Sequence, residues 1–223
     1  MLIGTWTRPL PLLPERVVVI APHPDDEVLG CGMTMRWLSD RACDISLVAC
    51  TDGEGSHRRS AAVSPEQLRV WRAEERARAL ELLGLAPSVL RLGLPDGELA
   101  ESTAELTDAL TAAIAGADVV IAPWLGDGHP DHEAVSRSAA RAARRRRLPL
   151  WCVPVWGKVR RSRPYDGRVS RLRLSADAQE AKAAAAAAFV SQLRPVGAGP
   201  HDGPVVHPSE LTAMLDGEEV LLW

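Results

Sequence analysis

Between residues 16 and 156, short apolar runs rich in β-branched residues alternate with longer amphipathic stretches, and this alternation restricts the possible folds most. Residues 16–21 (RVVVIA) run into Pro22 and read as a strand buried on both faces. Residues 44–50, 89–94, 119–124 and 150–156 repeat the type. Helices are expected between them, at 27–39, 65–83, 102–115 and 131–147. Pro65 suits a first helical turn, Gly84 supplies a stop, and Ser102 with Glu105 has the spacing of a capping box. Regular β–α alternation predicts an α/β fold, a Rossmann-like, doubly wound, mostly parallel sheet with helices on both faces. Past Gly157 the regularity fades into a C-terminal extension. It holds a strand at 168–174, an alanine-rich helix at 176–193, a Gly/Pro loop at 195–208 and an apolar end at 220–223. A single domain over residues 1–223 is expected.

Composition narrows the partners. The net charge of −3 argues against a nucleic-acid surface or a polybasic membrane anchor. The basic run at 144–147 falls at a helix C-terminus, where a solvated last turn facing the helix dipole accounts for it. No apolar run approaches the roughly 18 residues of a membrane helix. The first residues are broken by Pro9, Pro11 and Pro14 and lack a basic leader, which makes a poor secretory signal. Cys31, Cys43, Cys50 and Cys152 form no CxxC pair and read as free thiols, so a cytoplasmic location is expected.

Polar residues gather after two of the expected strands. Pro22-His23-Pro24-Asp25-Asp26-Glu27 follows the first, and Gly126-Asp127-Gly128-His129-Pro130-Asp131-His132-Glu133 follows the fourth. In the common strand order 3-2-1-4-5 these two strands are neighbours where the winding reverses, so both segments face one crevice beyond the strand ends. Alone, a His-Pro pair makes a turn, and paired aspartates at a helix start make caps. Together, imidazoles and carboxylates from both sides describe a site for Zn²⁺ or Fe²⁺ with an open position. His23 and Asp26, three apart at a loop-to-helix turn, can point one way, and His129 or His132 completes the set.

The segments PHPDDEVLGCG and GDGHPDHEAV resemble the N-acetylglucosaminylphosphatidylinositol de-N-acetylase-like (PIG-L/LmbE-like) family of zinc-dependent deacetylases, from about residue 16 to the C-terminus. The resemblance implies that His23, Asp26 and His132 bind one Zn²⁺, with Fe²⁺ as the alternative metal. It implies that Asp25 is the general base and that His129 polarises the carbonyl or protonates the leaving nitrogen. Arg72 and Asp96, in the segments RAEE and LPDG, become candidates for substrate contact. The implied partner is a small amino-sugar conjugate bearing an N-acetyl or N-acyl group. Two departures stand out: Phe189-Val190 precede Ser191-Gln192 where many relatives carry a histidine, and Asp127 stands where some carry an oxyanion-holding tyrosine.

The implied reaction is amide hydrolysis. Asp25 neighbours a ligand and can take a proton from water without binding metal, while His129 offers charge where the oxyanion develops. Asp131 is assigned to capping the helix that follows, with orienting a histidine as its other role. Two alternatives differ in class: a non-haem Fe(II) facial-triad oxygenase, and a non-catalytic sugar-binding module that would be expected to lose Asp25 or a ligand.

Overall fold

The computed structural model describes residues 2–160, 165 and 167–223. The strands are β1 (Gly4–Trp6), β2 (Arg16–Ala21), β3 (Asp44–Ala49), β4 (Ser88–Arg91), β5 (Val119–Pro123), β6 (Leu150–Val153), β7 (Val169–Leu174) and β8 (Glu218–Leu222). The helices are α1 (Asp26–Ser39), α2 (Pro65–Leu82), α3 (Thr103–Ala113), α4 (Pro130–Arg146), α5 (Ala176–Ala186), α6 (Val190–Leu193) and α7 (Pro208–Met214). The strands form one sheet in the order β1-β7-β8-β6-β5-β2-β3-β4.

From β4 to β6 every pairing is parallel, in the doubly wound order expected from the sequence. β2 lies at the centre, between β3 and β5, with Val17 and Val19 on one face and Val18 and Ile20 on the other. Each face is sealed by helices. Met33 and Leu38 of α1, Ala79 and Leu80 of α2 and Ala185 of α5 pack on the first face. Leu106 and Leu110 of α3 and Val135 and Ala139 of α4 pack on the second. A central strand buried on both sides needs apolar residues at every position, at about 1.5–3 kcal/mol for each large side chain.

The extension completes the sheet in the opposite sense. β8 pairs antiparallel with β6 and β7, and β1 closes the edge antiparallel to β7. β1 and α7 are additions that the sequence pattern does not announce. Among the described residues no helix is long and apolar enough to cross a membrane.

Three local expectations are corrected. The alanine-rich helix is two helices, because Phe189 leaves the helical region and is buried in the core while Ser191 turns to Glu75. Ser102 makes no side-chain cap, and its N–H donates to Leu99 O rather than to the Glu105 carboxylate. The strand expected at 150–156 stops at Val153, and Trp156–Lys158 curls into a 3₁₀ turn. Asp127 causes that curl by accepting from the N–H groups of Val155, Trp156 and Gly157.

Candidate active site

The parallel strands β2 and β5 end side by side, and each delivers one motif to the same crevice. After β2, Pro22-His23-Pro24 leaves the sheet, and Asp25 takes φ 139°, a conformation that costs a non-glycine residue energy. Neighbours hold this turn: the N–H of His23 donates to Asp26 Oδ2 at 2.9 Å, and Arg72 Nη2 donates to Pro24 O at 2.7 Å. Asp25 precedes α1 without capping it. Its carboxylate faces Arg72 Nη2 at 3.0 Å instead. Burial pushes the Asp25 pKa up to about 7; Arg72 opposes the rise and Asp26 adds to it.

Asp26 is the hub. Its Oδ2 lies 3.2 Å from His23 Nδ1 and 3.2 Å from His132 Nε2. Burial alone would raise its pKa, but His132 and His23 hold it well below the ordinary carboxylate range. Pro130 starts α4, so His129 sits just before the helix and His132 lies in its first turn. His132 Nδ1 is 2.6 Å from Asp127 Oδ2. Burial works against a charge on His132, yet Asp26 and Asp127 raise its pKa to about 9. Because Asp127 is an acceptor, the His132 proton sits on Nδ1 when the ring is neutral, and the Nε2 lone pair faces Asp26.

Asp131 does not cap α4; His129 does, accepting from the Asp131 N–H. The Asp131 side chain turns back to His23 Nε2 at 3.1 Å and takes the N–H groups of Gly97 and Leu99. Asp96 Oδ1 lies 3.2 Å from the same His23 nitrogen, and Asp96 Oδ2 accepts from the Gly55 N–H. Burial, with the charges of His132 and His23, pushes the His129 pKa down to about 4. His129 therefore presents a neutral ring, and its Nδ1 acceptor role leaves the proton on Nε2.

The ligand atoms of His23, Asp26 and His132 lie within 4.8 Å of one another, as do those of His23, His129 and Asp131. The first set fits a metal better. His132 Nε2 is buried without a hydrogen bond, whereas both Asp131 oxygens already accept backbone N–H groups. A buried orphan nitrogen beside a carboxylate and a second imidazole is what a divalent ion would satisfy.

His23, Asp25, Asp26, Arg72, Asp96 and His129 line a small cavity of about 90 Å³, and His132 is buried behind it. The motifs thus meet as their spacing suggests. Arg72 is a buried residue tied to Asp25 and Gly53, with its Nε left unpartnered. A wider groove of about 730 Å³, beside Trp124, Arg141 and Leu150, contains none of these residues. Asp127, which stands where some relatives carry an oxyanion-holding tyrosine, is buried behind His132. Sequence reasoning missed Trp156, Val205 and Val206 in the cavity wall, which no motif signals.

Comparison with known proteins adds an independent line. The profile of the PIG-L family, described as GlcNAc-PI de-N-acetylase, matches residues 18–143. Diacetylchitobiose deacetylase of Thermococcus kodakarensis is 34% identical over 122 residues, covering 53% of this chain and 45% of that protein. The 1D-myo-inositol 2-acetamido-2-deoxy-alpha-D-glucopyranoside deacetylase of Mycolicibacterium gilvum is 29% identical over 164 residues, covering 62% of this chain and 57% of that protein. The matches thus span about half the length of these curated relatives. N,N'-diacetylchitobiose deacetylase from Pyrococcus horikoshii superposes with a TM-score of 0.63 at 26% identity, covering 81% of this chain and 71% of that one.

Proposed function

The chain belongs to the PIG-L (GlcNAc-PI de-N-acetylase) family, and on that premise we propose that it is a zinc-dependent hydrolase that removes the N-acetyl group from an N-acetylglucosamine-type conjugate. The observation that carries this reading is the His132 Nε2, buried behind the cavity without a hydrogen bond and 3.2 Å from Asp26. His23, Asp26 and His132 would hold the metal. A zinc ion there would supply a water whose pKa is lowered to ~7 and would polarise the amide oxygen.

The remaining steps belong to the side chains. Asp25, lifted toward neutrality by burial, accepts the proton of the attacking water and later returns it to the nitrogen. The C–N bond breaks, the hydroxyl stays with the acyl carbon, and acetate and a free amine leave. Arg72 fixes Asp25 in its strained turn. His129, neutral with its proton on Nε2, donates a hydrogen bond to the developing oxyanion. Asp131 and Asp127 orient His23 and His132 from behind, as partners of metal-binding imidazoles commonly do. Asp96 and Arg72 line the cavity as the candidate substrate contacts.

Both the parallel βα core and the retention of Asp25 support a hydrolase over a facial-triad oxygenase or an inactive binding module. The four free cysteines fit a reducing compartment such as the cytoplasm. The test is to incubate the purified chain with a panel of N-acetyl glucosaminides and detect free amine. Activity should vanish on chelation and return with Zn²⁺, at about one ion per chain; full turnover by rigorously metal-free protein overturns the reading.

A further inference from the structure

The apolar side of the cavity is contributed from outside the segment that the family profile matches. Trp156 follows β6, and Val205 and Val206 precede α7. They line, with His23, Asp25 and His129, a narrow cavity of about 90 Å³. A cavity that narrow favours a short acyl group over a long one.

This wall is braced. Val206 is buried in a cluster with Leu29, Val155 and Met214, and Trp156 packs against the same cluster. The N–H groups of Val205 and Val206 both donate to Gln192 O, at 2.9 and 3.0 Å. Gln192 Nε2 in turn reaches Ser191 Oγ at 2.9 Å, and Ser191 is bonded to Glu75 of α2. On the other side His57 Nε2 lies 3.2 Å from Gly203 O. A wall packed on a core and tied at both ends does not move aside cheaply, since forcing in extra methylenes strains side chains and backbone.

The cavity's chemistry also orients an amide. Carbonyl oxygen and nitrogen belong on the His/Asp side, which leaves the acyl tail for the apolar side. We infer that Trp156 and Val206 set the acyl length this site accepts, admitting acetyl and excluding longer chains. The inference rests on the deacylase reading and names the acyl group of that same substrate.

The test uses the zinc-loaded full chain and N-acetyl, N-propionyl and N-butyryl glucosaminides of one aglycone, with kcat/KM read from released amine. Calorimetry on acetate, propionate and butyrate gives a second readout that needs no turnover. In the wild type each added methylene should lower kcat/KM by about 10-fold or more, the low end for a filled apolar pocket. Val206→Ala should shrink the acetyl-to-butyryl ratio by about 10-fold and improve butyrate binding relative to acetate. Trp156→Phe, which leaves the buried cluster largely intact, should shift both in the same direction. The inference is overturned if the wild type takes butyryl as readily as acetyl. It is overturned equally if the folded variants leave both ratios unmoved. If no member of the series releases amine, the hydrolase reading fails, and the carboxylate series alone decides. Affinity falling from acetate to butyrate, and recovering in the variants, sustains the inference; a flat series ends it.

Discussion

At the first turn of α1, Asp26 shares one oxygen with His23 and His132; where the same helix kinks at Cys31 (φ −148°), Lys182 and Glu219 meet it from the extension. Both clusters are buried, and both are held by residues far apart in the chain. At the kink the accounts close. Lys182 Nζ donates to Leu29 O and Glu219, while Glu219 accepts the N–H groups of Met33 and Thr34 and the Thr34 hydroxyl. One cation balances one anion, and the groups freed by the kink find partners. At the first turn Asp25, Asp26, Asp96 and Asp131 crowd around two histidines and Arg72, and neither His132 Nε2, 3.2 Å from Asp26, nor Arg72 Nε makes a hydrogen bond. A closed buried network is a structural joint; an open one is a place prepared for a ligand.

The comparison can be broken most decisively at Asp25. Asp25→Asn should retain zinc and cost about 10²–10⁴-fold in turnover, as loss of a general base does. The same variant should leave the melting temperature of the metal-free protein unchanged or higher, because a buried carboxylate with a raised pKa is a burden on the fold. A large stability loss with turnover intact would reverse the roles of the two clusters.

Glu219→Gln should do the opposite, costing about 3–5 kcal/mol of stability by stranding the Lys182 charge. Turnover per folded molecule should persist below the melting transition. Pairing Glu219→Gln with Lys182→Met should recover part of the loss in a denaturant titration, and no recovery would mean that the charge pair is not the cause.

His129→Ala sharpens the division within the open cluster. Zinc content and KM should hold while kcat falls by about 10²–10³-fold, the range for one oxyanion donor. Depleted zinc in this variant, with full zinc in His132→Ala, would move the ligand role from His132 to His129. The smallest effect is expected at Asp127, behind His132. Asp127→Ala should weaken zinc affinity by about 10–100-fold, measured by competition with a chelating dye. Unchanged affinity would confine Asp127 to shaping the Trp156 turn.

Much of the site was legible because its residues are neighbours in sequence. His23 through Asp26, and His129 through His132, each lie within four residues at a strand end, and local turn geometry delivers them together. The contacts of Asp127 were not legible in that way, and for Asp131 the contact with a histidine stood second to capping. Both look like loop or capping aspartates until one sees that the Asp127 carboxylate is surrounded by N–H groups from residues 155–157 and that Asp131 reaches back across the crevice to His23. Arg72 is a candidate substrate contact by resemblance alone, and only the packing of α2 beside the Asp25 turn buries it.

The sequence by itself determined the alternation of strand and helix, the doubly wound order and the meeting of the two motifs. Each follows from short-range periodicity and from chain connectivity, which parallel βα units constrain strongly. Tertiary structure alone decided the break at Phe189, the strands β1 and β8 that finish the sheet, the clamp of Lys182 and Glu219 on α1, and the wall of Trp156, Val205 and Val206 over the cavity. These depend on which distant surfaces come into contact, and burial energy between such surfaces carries no local pattern for a single segment to display.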